Sequence, residues 1–123
     1  MLQDAELVAF VATSDLERAR TFYCGVLGFE VVEESPFALV LDANGTTVRV
    51  TQVDEVVVAP YTVLGWQVPD TTTRVRALVG AGVECERFDG MEQDADAIWT
   101  APGGARIAWF RDPDGHLLSV TGP

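Results

Sequence analysis

The sequence predicts an α+β fold in which two successive copies of a βαβββ unit together wrap a cleft the size of a small molecule. Two observations support this prediction. The order strand, helix and three strands occurs twice within the 123 residues, and matching places in the two halves carry identical residues at fixed offsets. One helix cannot cover both faces of its own sheet, so we expect the halves to complete a single domain, 1–123. Its modules are predicted at 1–53 and 61–123, joined by a linker at 54–60.

The first module begins with β-forming residues at 6–13. Ser14 and Glu17, three residues apart, have the pattern of a capping box and predict the start of a helix. Apolar residues then recur at helical spacing, and Gly28 is placed to end the helix. Three strands are predicted next, the last two joined by an Asn-Gly pair that is typical of a tight hairpin: 29–34, 37–42 and 46–53.

The second module repeats this order. A strand is predicted at 61–68 and a helix from Asp70 to Gly82, and an offset of 55 places Asp15 on Asp70. Residues 89–104 are an excursion without a counterpart in the first module. An offset of 70 aligns the ends of the two modules, placing Asp42, Gly45, Val50 and Thr51 on Asp112, Gly115, Val120 and Thr121. The remaining strands are predicted at 83–88, 105–112 and 116–121.

Charge and composition exclude several classes of partner and chemistry. The 19 acidic residues against 8 basic ones give a net charge of −11, which disfavours nucleic acid and anionic membranes. All eight bases are Arg, so Schiff-base chemistry on a Lys is excluded. The N-terminal residues lack the pattern of a signal peptide, and no apolar run is long enough for a membrane span. Cys24 and Cys85 are too few for a disulfide framework, which favours a cytoplasmic location and two small buried thiols.

Two segments, DLERARTFYCGVLGFEV at 15–31 and FRDPDGHLLSVTG at 110–122, resemble the vicinal oxygen chelate superfamily. This superfamily includes glyoxalase I, extradiol dioxygenases and bleomycin-resistance proteins. The resemblance implies that the two curved sheets form a half-barrel around a pocket and that the chain assembles as a homodimer. It also implies a divalent ion, held by the first and last strands of each module, that polarises substrate oxygens as a Lewis acid.

The ligand positions of the superfamily fall on Val8 and Arg49 in the first module and on Val63 and Ser119 in the second. None of these side chains is a useful metal ligand, and shifting the alignment by one residue brings in no imidazole, carboxylate or thiolate. A guanidinium at one corner would also repel a cation. The sequence therefore predicts no bound catalytic metal and no cofactor.

Strand alternation places Arg49 on the same sheet face as Thr47 and Thr51, the face that lines the pocket if the resemblance holds. Its guanidinium could bind a carboxylate or enolate oxygen, or it could pair internally with one of the many acids. The same alternation directs Val63, Gly65 and Gln67 inward and Trp66 towards the helix.

The excursion combines acidic residues with nearby aromatic ones, which suits a cationic or planar aromatic ligand, although solvated loop acids are the alternative. His116, the only histidine, is predicted on the surface. The residues predicted to contact a ligand are Phe10, Arg49, Thr51, Gln67, Met91, Glu92, Trp99 and Trp109.

These features favour a metal-independent protein that binds and sequesters a small organic molecule, neutral or cationic and including aromatic ones. The alternative is a metal-independent isomerase, lyase or cyclase in which Glu92 or another pocket carboxylate acts as base and Arg49 stabilises an oxyanion. A third interpretation is a regulatory module or subunit whose cleft is filled by its own side chains. The sequence alone does not decide whether the protein is an enzyme.

Overall fold

A computed structural model describes residues 1–123, which form two compact units, Met1–Val57 and Val58–Pro123. The boundary between the units lies within the predicted linker, 54–60. Each unit has its own four-stranded sheet and the element order βαβββ. We refer to them as module one and module two. No helix is long and apolar enough to cross a membrane.

Module one has a sheet in the order β1-β4-β3-β2, in which β1 runs parallel to β4 and the other pairs are antiparallel. The predicted tight hairpin joins β3 to β4, since Asn44 and Gly45 both have positive φ, at 52° and 93°. The elements of module one are β1 (Val8–Thr13), α1 (Leu16–Arg20) with a π-helical turn (Thr21–Val26), β2 (Glu30–Glu34), β3 (Ala38–Ala43) and β4 (Thr46–Gln52).

The helix of module one starts where the sequence predicted, but not with the predicted cap. Asp15 has an extended backbone, and its carboxylate accepts the Arg18 N–H at 3.0 Å. Asp15 therefore caps the helix, and the capping box of Ser14 and Glu17 was wrong. In the π-helical turn the N–H of Leu27 donates to the carbonyl of a residue five positions earlier.

The core of module one lies between its helix and one face of its sheet. The helix packs on β3 and β4. Alternate residues of the strands point towards the helix and are buried. Tyr23 of the π-helical turn is the largest buried side chain of this core. The buried strand residues are Val11, Thr13, Leu39, Leu41, Val48 and Val50. The opposite face of the sheet has no helix of its own module against it, and we call it the open face of module one.

Module two repeats this architecture with the sheet order β5-β8-β7-β6. Asp70 caps the helix as Asp15 does, accepting the Thr73 N–H at 3.1 Å. Trp66 lies on the helix side of the sheet, as predicted, and stacks on Phe110 with ring centroids 6.4 Å apart. The elements of module two are β5 (Thr62–Gln67), α2 (Thr71–Gly80), β6 (Trp99–Thr100), β7 (Arg106–Arg111) and β8 (Leu117–Gly122).

The strand predicted at 83–88 is wrong, because this segment makes only a single bridge, from Cys85 to Phe110 of β7. The reason is the side chain of Gln93, which replaces a strand partner. Its Nε2 donates to the carbonyls of Glu86 and Ala97, and its Oε1 accepts the N–H of Phe88 at 2.8 Å. The side-chain amide of Gln93 therefore makes hydrogen bonds to backbone N–H and C=O groups that a neighbouring strand would otherwise pair.

Two further details differ from the sequence-based expectations. His116 is only 5% exposed, so the predicted surface position was wrong. The carboxylate of Asp112 accepts the backbone N–H groups of Asp114 and His116, which turns the loop back on itself and brings His116 inward. Strand β5 contains a bulge between Thr62 and Leu64, so Val63 has no register partner and the strict alternation predicted for β5 is interrupted there.

Candidate functional site

Arg49 lies at the centre of the open face of module one. It is on β4, the strand between β1 and β3, and its register partners are Phe10 on one side and Val40 on the other. These three side chains form one row across the sheet, and the row continues to Glu33 of β2, which is the register partner of Val40 and lies two strands from Arg49. Arg49 is half-buried, whereas Phe10 is 67% exposed. A guanidinium is therefore held between two apolar side chains, with one side of the row open.

The guanidinium of Arg49 makes no hydrogen bond and no ion pair in the structure. The internal pairing with an acid that the sequence left open is therefore absent. Four other arginines do bond carboxylates, namely Arg20 with Glu34, Arg76 with Asp96, Arg106 with Asp94 and Arg111 with Glu86. Four of the 19 acids are thus paired with other arginines, none is paired with Arg49, and the charge of Arg49 is left without a partner.

Thr51 occupies the next row of the same face, between Ala12 and Ala38. Its Oγ1 is buried and has no hydrogen-bond partner, the single such side-chain atom in the chain. A buried hydroxyl without a partner destabilises a fold by about 1–3 kcal/mol. Phe10, Arg49 and Thr51, which the sequence predicted as ligand contacts, are therefore brought to one face, and two of them have polar groups without partners.

The open face of module two is built differently. Gly65 and Gln67 of β5 lie opposite Ser119 and Thr121 of β8, and Trp109 of β7 is the partner of Ser119 on the other side. A Cβ on Gly65 would lie 2.9 Å from the hydroxyl oxygen of Ser119, so this position suits a glycine and leaves backbone uncovered.

Three aromatic rings meet at the β6 side of this face. The ring centroids of Phe88 and Trp109 are 5.5 Å apart in an edge-to-face contact, and those of Trp99 and Trp109 are 6.3 Å apart. All three side chains are half-buried. We call Phe88, Trp99 and Trp109 the aromatic cluster. Sequence reasoning found both tryptophans but missed Phe88, which it had placed in a strand.

The acids of the excursion serve two purposes. Asp94 pairs with Arg106 and accepts the N–H groups of Asp96 and Ile98. Its partial burial raises the pKa of the Asp94 carboxyl, but the backbone N–H groups and Arg106 outweigh this effect, and the pKa is lowered. Asp94 therefore holds the excursion together.

Glu92, by contrast, is exposed and makes no hydrogen bond, and Met91 beside it is half-buried. Of the three excursion residues predicted as ligand contacts, Met91 and Glu92 lie outside the open-face rows, whereas Trp99 belongs to the aromatic cluster. Asp96 forms an ion pair with Arg76. The excursion is thus largely structural.

A groove of about 530 Å³ lies on the other side of module one, between α1 and the strands β2 and β3. Its rim carries the ion pair between Arg20 and Glu34, and Thr21 and Ser35 use their hydroxyls within the fold. The groove contains none of the predicted ligand contacts.

Comparison with known proteins now decides the family. Residues 7–120 match the sequence profile of the Glyoxalase/Bleomycin resistance protein/Dioxygenase superfamily. The chain belongs to this superfamily. The resemblance seen in the sequence is therefore confirmed, as is the fold of two βαβββ modules. No curated protein matches the chain.

Several solved structures share the fold at low sequence identity. Lactoylglutathione lyase from Agrobacterium tumefaciens has a TM-score of 0.77 at 15% identity, with 99% of this chain and 96% of that chain covered. A glyoxalase-related enzyme from Fulvimarina pelagi has a TM-score of 0.74 at 22% identity, covering 99% and 89%. A superfamily member from Sphaerobacter thermophilus has a TM-score of 0.74 at 20% identity, covering 100% of both chains.

The metal ion that the superfamily implies does not fit the residues at its expected positions. In module one Val8 and Arg49 provide an alkyl group and a cation, and in module two Val63 and Ser119 provide an alkyl group and a buried hydroxyl. Val63 also lies in the bulge of β5. No group of three or more His, Cys, Asp or Glu side chains lies close enough together to hold a metal. The side chains at these four positions therefore do not form a metal site.

Proposed function

We propose that this superfamily member is a metal-independent binding protein that holds and sequesters a small planar organic molecule, neutral or cationic, on the open face of module two. The observation that carries the proposal is the aromatic cluster, in which the half-buried Trp109 contacts both Phe88 and Trp99 on a face that also carries polar side chains. Aromatic rings that remain partly accessible offer a flat apolar surface on which another ring can stack.

Polar groups next to the cluster can orient such a molecule. Gln67, Ser119 and Thr121 share the face with Trp109 and supply an amide and two hydroxyls. Gly65 has no side chain to hold a flat ring away from the sheet. A ligand stacked on the cluster would therefore find hydrogen-bond partners within the width of two strands, which lie about 4.8 Å apart.

The charge of the chain favours a neutral or cationic ligand here. The net charge is −11, and Asp89 and Glu92 of the excursion are exposed and without ion pairs. A field of this sign attracts cations and repels anions, and aromatic faces add to the attraction for a cation. The enzyme alternative gains no specific support, because nothing around the exposed carboxylate of Glu92 prepares it to act as a base.

The test is calorimetric titration with 9-aminoacridine and acridine, which share a ring system and are respectively cationic and neutral at pH 7.4. We expect both to bind the wild-type chain, with the same affinity in EDTA. Trp109→Leu should weaken binding at least about tenfold, because it removes the ring that contacts both others. The control is Phe37→Leu, which replaces an exposed aromatic ring of module one by an alkyl group. This variant should bind both compounds with the affinity of wild type.

Three results would contradict the proposal. One is an equal affinity of wild type and Trp109→Leu for 9-aminoacridine. Trp99→Leu replaces Trp109→Leu in this comparison should the latter fail to fold. Another is binding that requires a divalent ion. The third is tighter Trp109-dependent binding of acridine-9-carboxylate than of 9-aminoacridine, which would reverse the expected charge preference.

A further inference from the structure

The unpartnered charge of Arg49 requires an explanation in a chain so rich in acids. An exposed arginine such as Arg74 is solvated by water and needs no partner. Arg49 is half-buried in the middle of a sheet and is flanked by apolar groups, so water compensates its charge less well. No carboxylate of the chain reaches it. Its natural complement is therefore an anion from outside the chain.

Thr51 supplies a second, independent observation. Its buried Oγ1 has no partner, and it lies on the same face of the same strand, two residues from Arg49. Residues two apart on a strand are separated by about 6.6 Å, and rotation about χ1 of the half-buried Thr51 would bring its hydroxyl to a small ligand held by Arg49. A hydroxyl can donate to an oxygen atom of the same anion that the guanidinium binds.

The surroundings favour a carboxylate on an organic molecule over inorganic phosphate. A single guanidinium presents a planar fork that matches the two oxygens of a carboxylate, whereas the chain offers no second cation on this face to balance a dianion. Phe10 and Val40 flank Arg49 in its row, and Phe10 is largely exposed. These side chains provide apolar contact for the body of the ligand.

We propose that the open face of module one binds the carboxylate of a small organic acid, with the Arg49 guanidinium pairing with both carboxylate oxygens and the Thr51 hydroxyl donating to one of them. The guanidinium supplies positive charge at a position where a metal ligand was expected. The inference does not depend on the ligand proposed for module two, because it rests on residues of module one alone.

The experiment titrates the full chain with phenylacetate and with phenylacetamide, which has the same body without the charge, by calorimetry or by amide chemical shifts. Arg49→Gln is compared with Arg74→Gln, which removes the same charge from an exposed site. We expect saturable binding of phenylacetate to wild type and to Arg74→Gln, and a loss of at least about tenfold in Arg49→Gln. Thr51→Val should weaken binding by roughly three- to tenfold.

Arg49→Lys keeps the charge but not the planar fork, and it serves as a second variant should Arg49→Gln fold poorly. It should bind phenylacetate more weakly than wild type. Affinity for 9-aminoacridine should be unchanged in the Arg49 variants, which separates this inference from the function proposed for module two.

Any one of four results would overturn the inference. The first is binding of phenylacetate that is equally tight in wild type and in the Arg49 variants, and the second is binding of phenylacetamide that is as tight as that of phenylacetate. The third is tighter binding of inorganic phosphate than of any carboxylate, and the fourth is no saturable binding of phenylacetate, benzoate or acetate.

Discussion

Replacing Thr51 by Val is expected to stabilise the protein, although it removes a polar group from the proposed carboxylate site. The Oγ1 of Thr51 is buried without a partner, and such a hydroxyl costs about 1–3 kcal/mol. Valine puts a methyl group of similar size in its place and keeps the β-branched shape that suits a strand. Because the residue as a whole is only half-buried, we expect a net gain of about 1–2 kcal/mol in the free energy of unfolding.

Urea unfolding followed by circular dichroism measures this gain, which should appear as a higher midpoint at an unchanged slope. For a chain of this size it corresponds to a rise of roughly 3–8 °C in the melting temperature. Thr47→Val is the matched control. Thr47 lies on the same face of β4 and is half-buried as a residue, but its hydroxyl oxygen is not among the buried atoms without a partner. The control should change stability by less than about 0.5 kcal/mol.

Saturating phenylacetate adds a second comparison. A ligand that bonds the hydroxyl stabilises the wild-type chain more than the Val variant, so the advantage of Thr51→Val should shrink as ligand is added. If Thr51→Val is no more stable than wild type, or if Thr47→Val gains as much, the reasoning from the unpartnered hydroxyl is refuted.

Three further predictions follow from other parts of the structure. Gly122→Ala should destabilise the chain by about 2 kcal/mol or more, because its Cβ would lie 2.2 Å from a backbone carbonyl oxygen. In the same urea assay Gly80→Ala, whose Cβ meets no atom within 4 Å, should be neutral or stabilising. Equal effects of the two substitutions on the free energy of unfolding would refute this prediction. Asp94→Asn should lower the free energy of unfolding by less than about 1 kcal/mol, since the carboxylate is 46% exposed. The pKa of Asp94 in the folded chain is lowered from its ordinary 3.8, so the stabilisation by its carboxylate is complete above about pH 4 and is lost as the pH falls through the lowered pKa. A stability difference between wild type and Asp94→Asn that grows below pH 4 would contradict this prediction. Burial raises the pKa of both Cys24 and Cys85, so iodoacetamide at pH 7.5 should modify them at least about tenfold more slowly than in the urea-unfolded chain, and equal rates would show that the thiols are not protected.

Local patterns were sufficient to predict most of the fold. β-forming residues and the Asn-Gly turn located β1, β3 and β4, and alternation correctly placed Arg49 and Thr51 on one face, because side chains on a strand alternate strictly wherever no bulge intervenes. The predicted starts at Ser14 and Asp70 and the terminating Gly28 and Gly82 bounded both helices to within a few residues, although Asp15 and not Ser14 caps the first helix. These features depend on neighbours in the chain, which a sequence displays directly.

The features that escaped prediction depend on residues distant in the chain or on side-chain competition. Segment 83–88 has the composition of a strand, but the amide of Gln93 satisfies its backbone instead. The alternatives for Arg49 could not be separated from sequence, since its lack of a partner depends on where every acid lies in space. Likewise, the burial of His116 follows from the way Asp112 bonds its loop.

The π-helical turn of module one has a consequence for how the repeat is recognised. The two helices have matching ends, an Asp cap and a Gly with positive φ, but the distance between these ends is one residue longer in module one. The wider turn at Thr21–Val26 takes up the extra residue without displacing either end. An alignment of the modules at a constant offset of 55 therefore loses register after the turn, where the terminating glycines match at 54. The element order and the helix ends are therefore repeated in both modules while the sequence repeat shifts by one residue, so a residue-by-residue count at one offset understates the repeat.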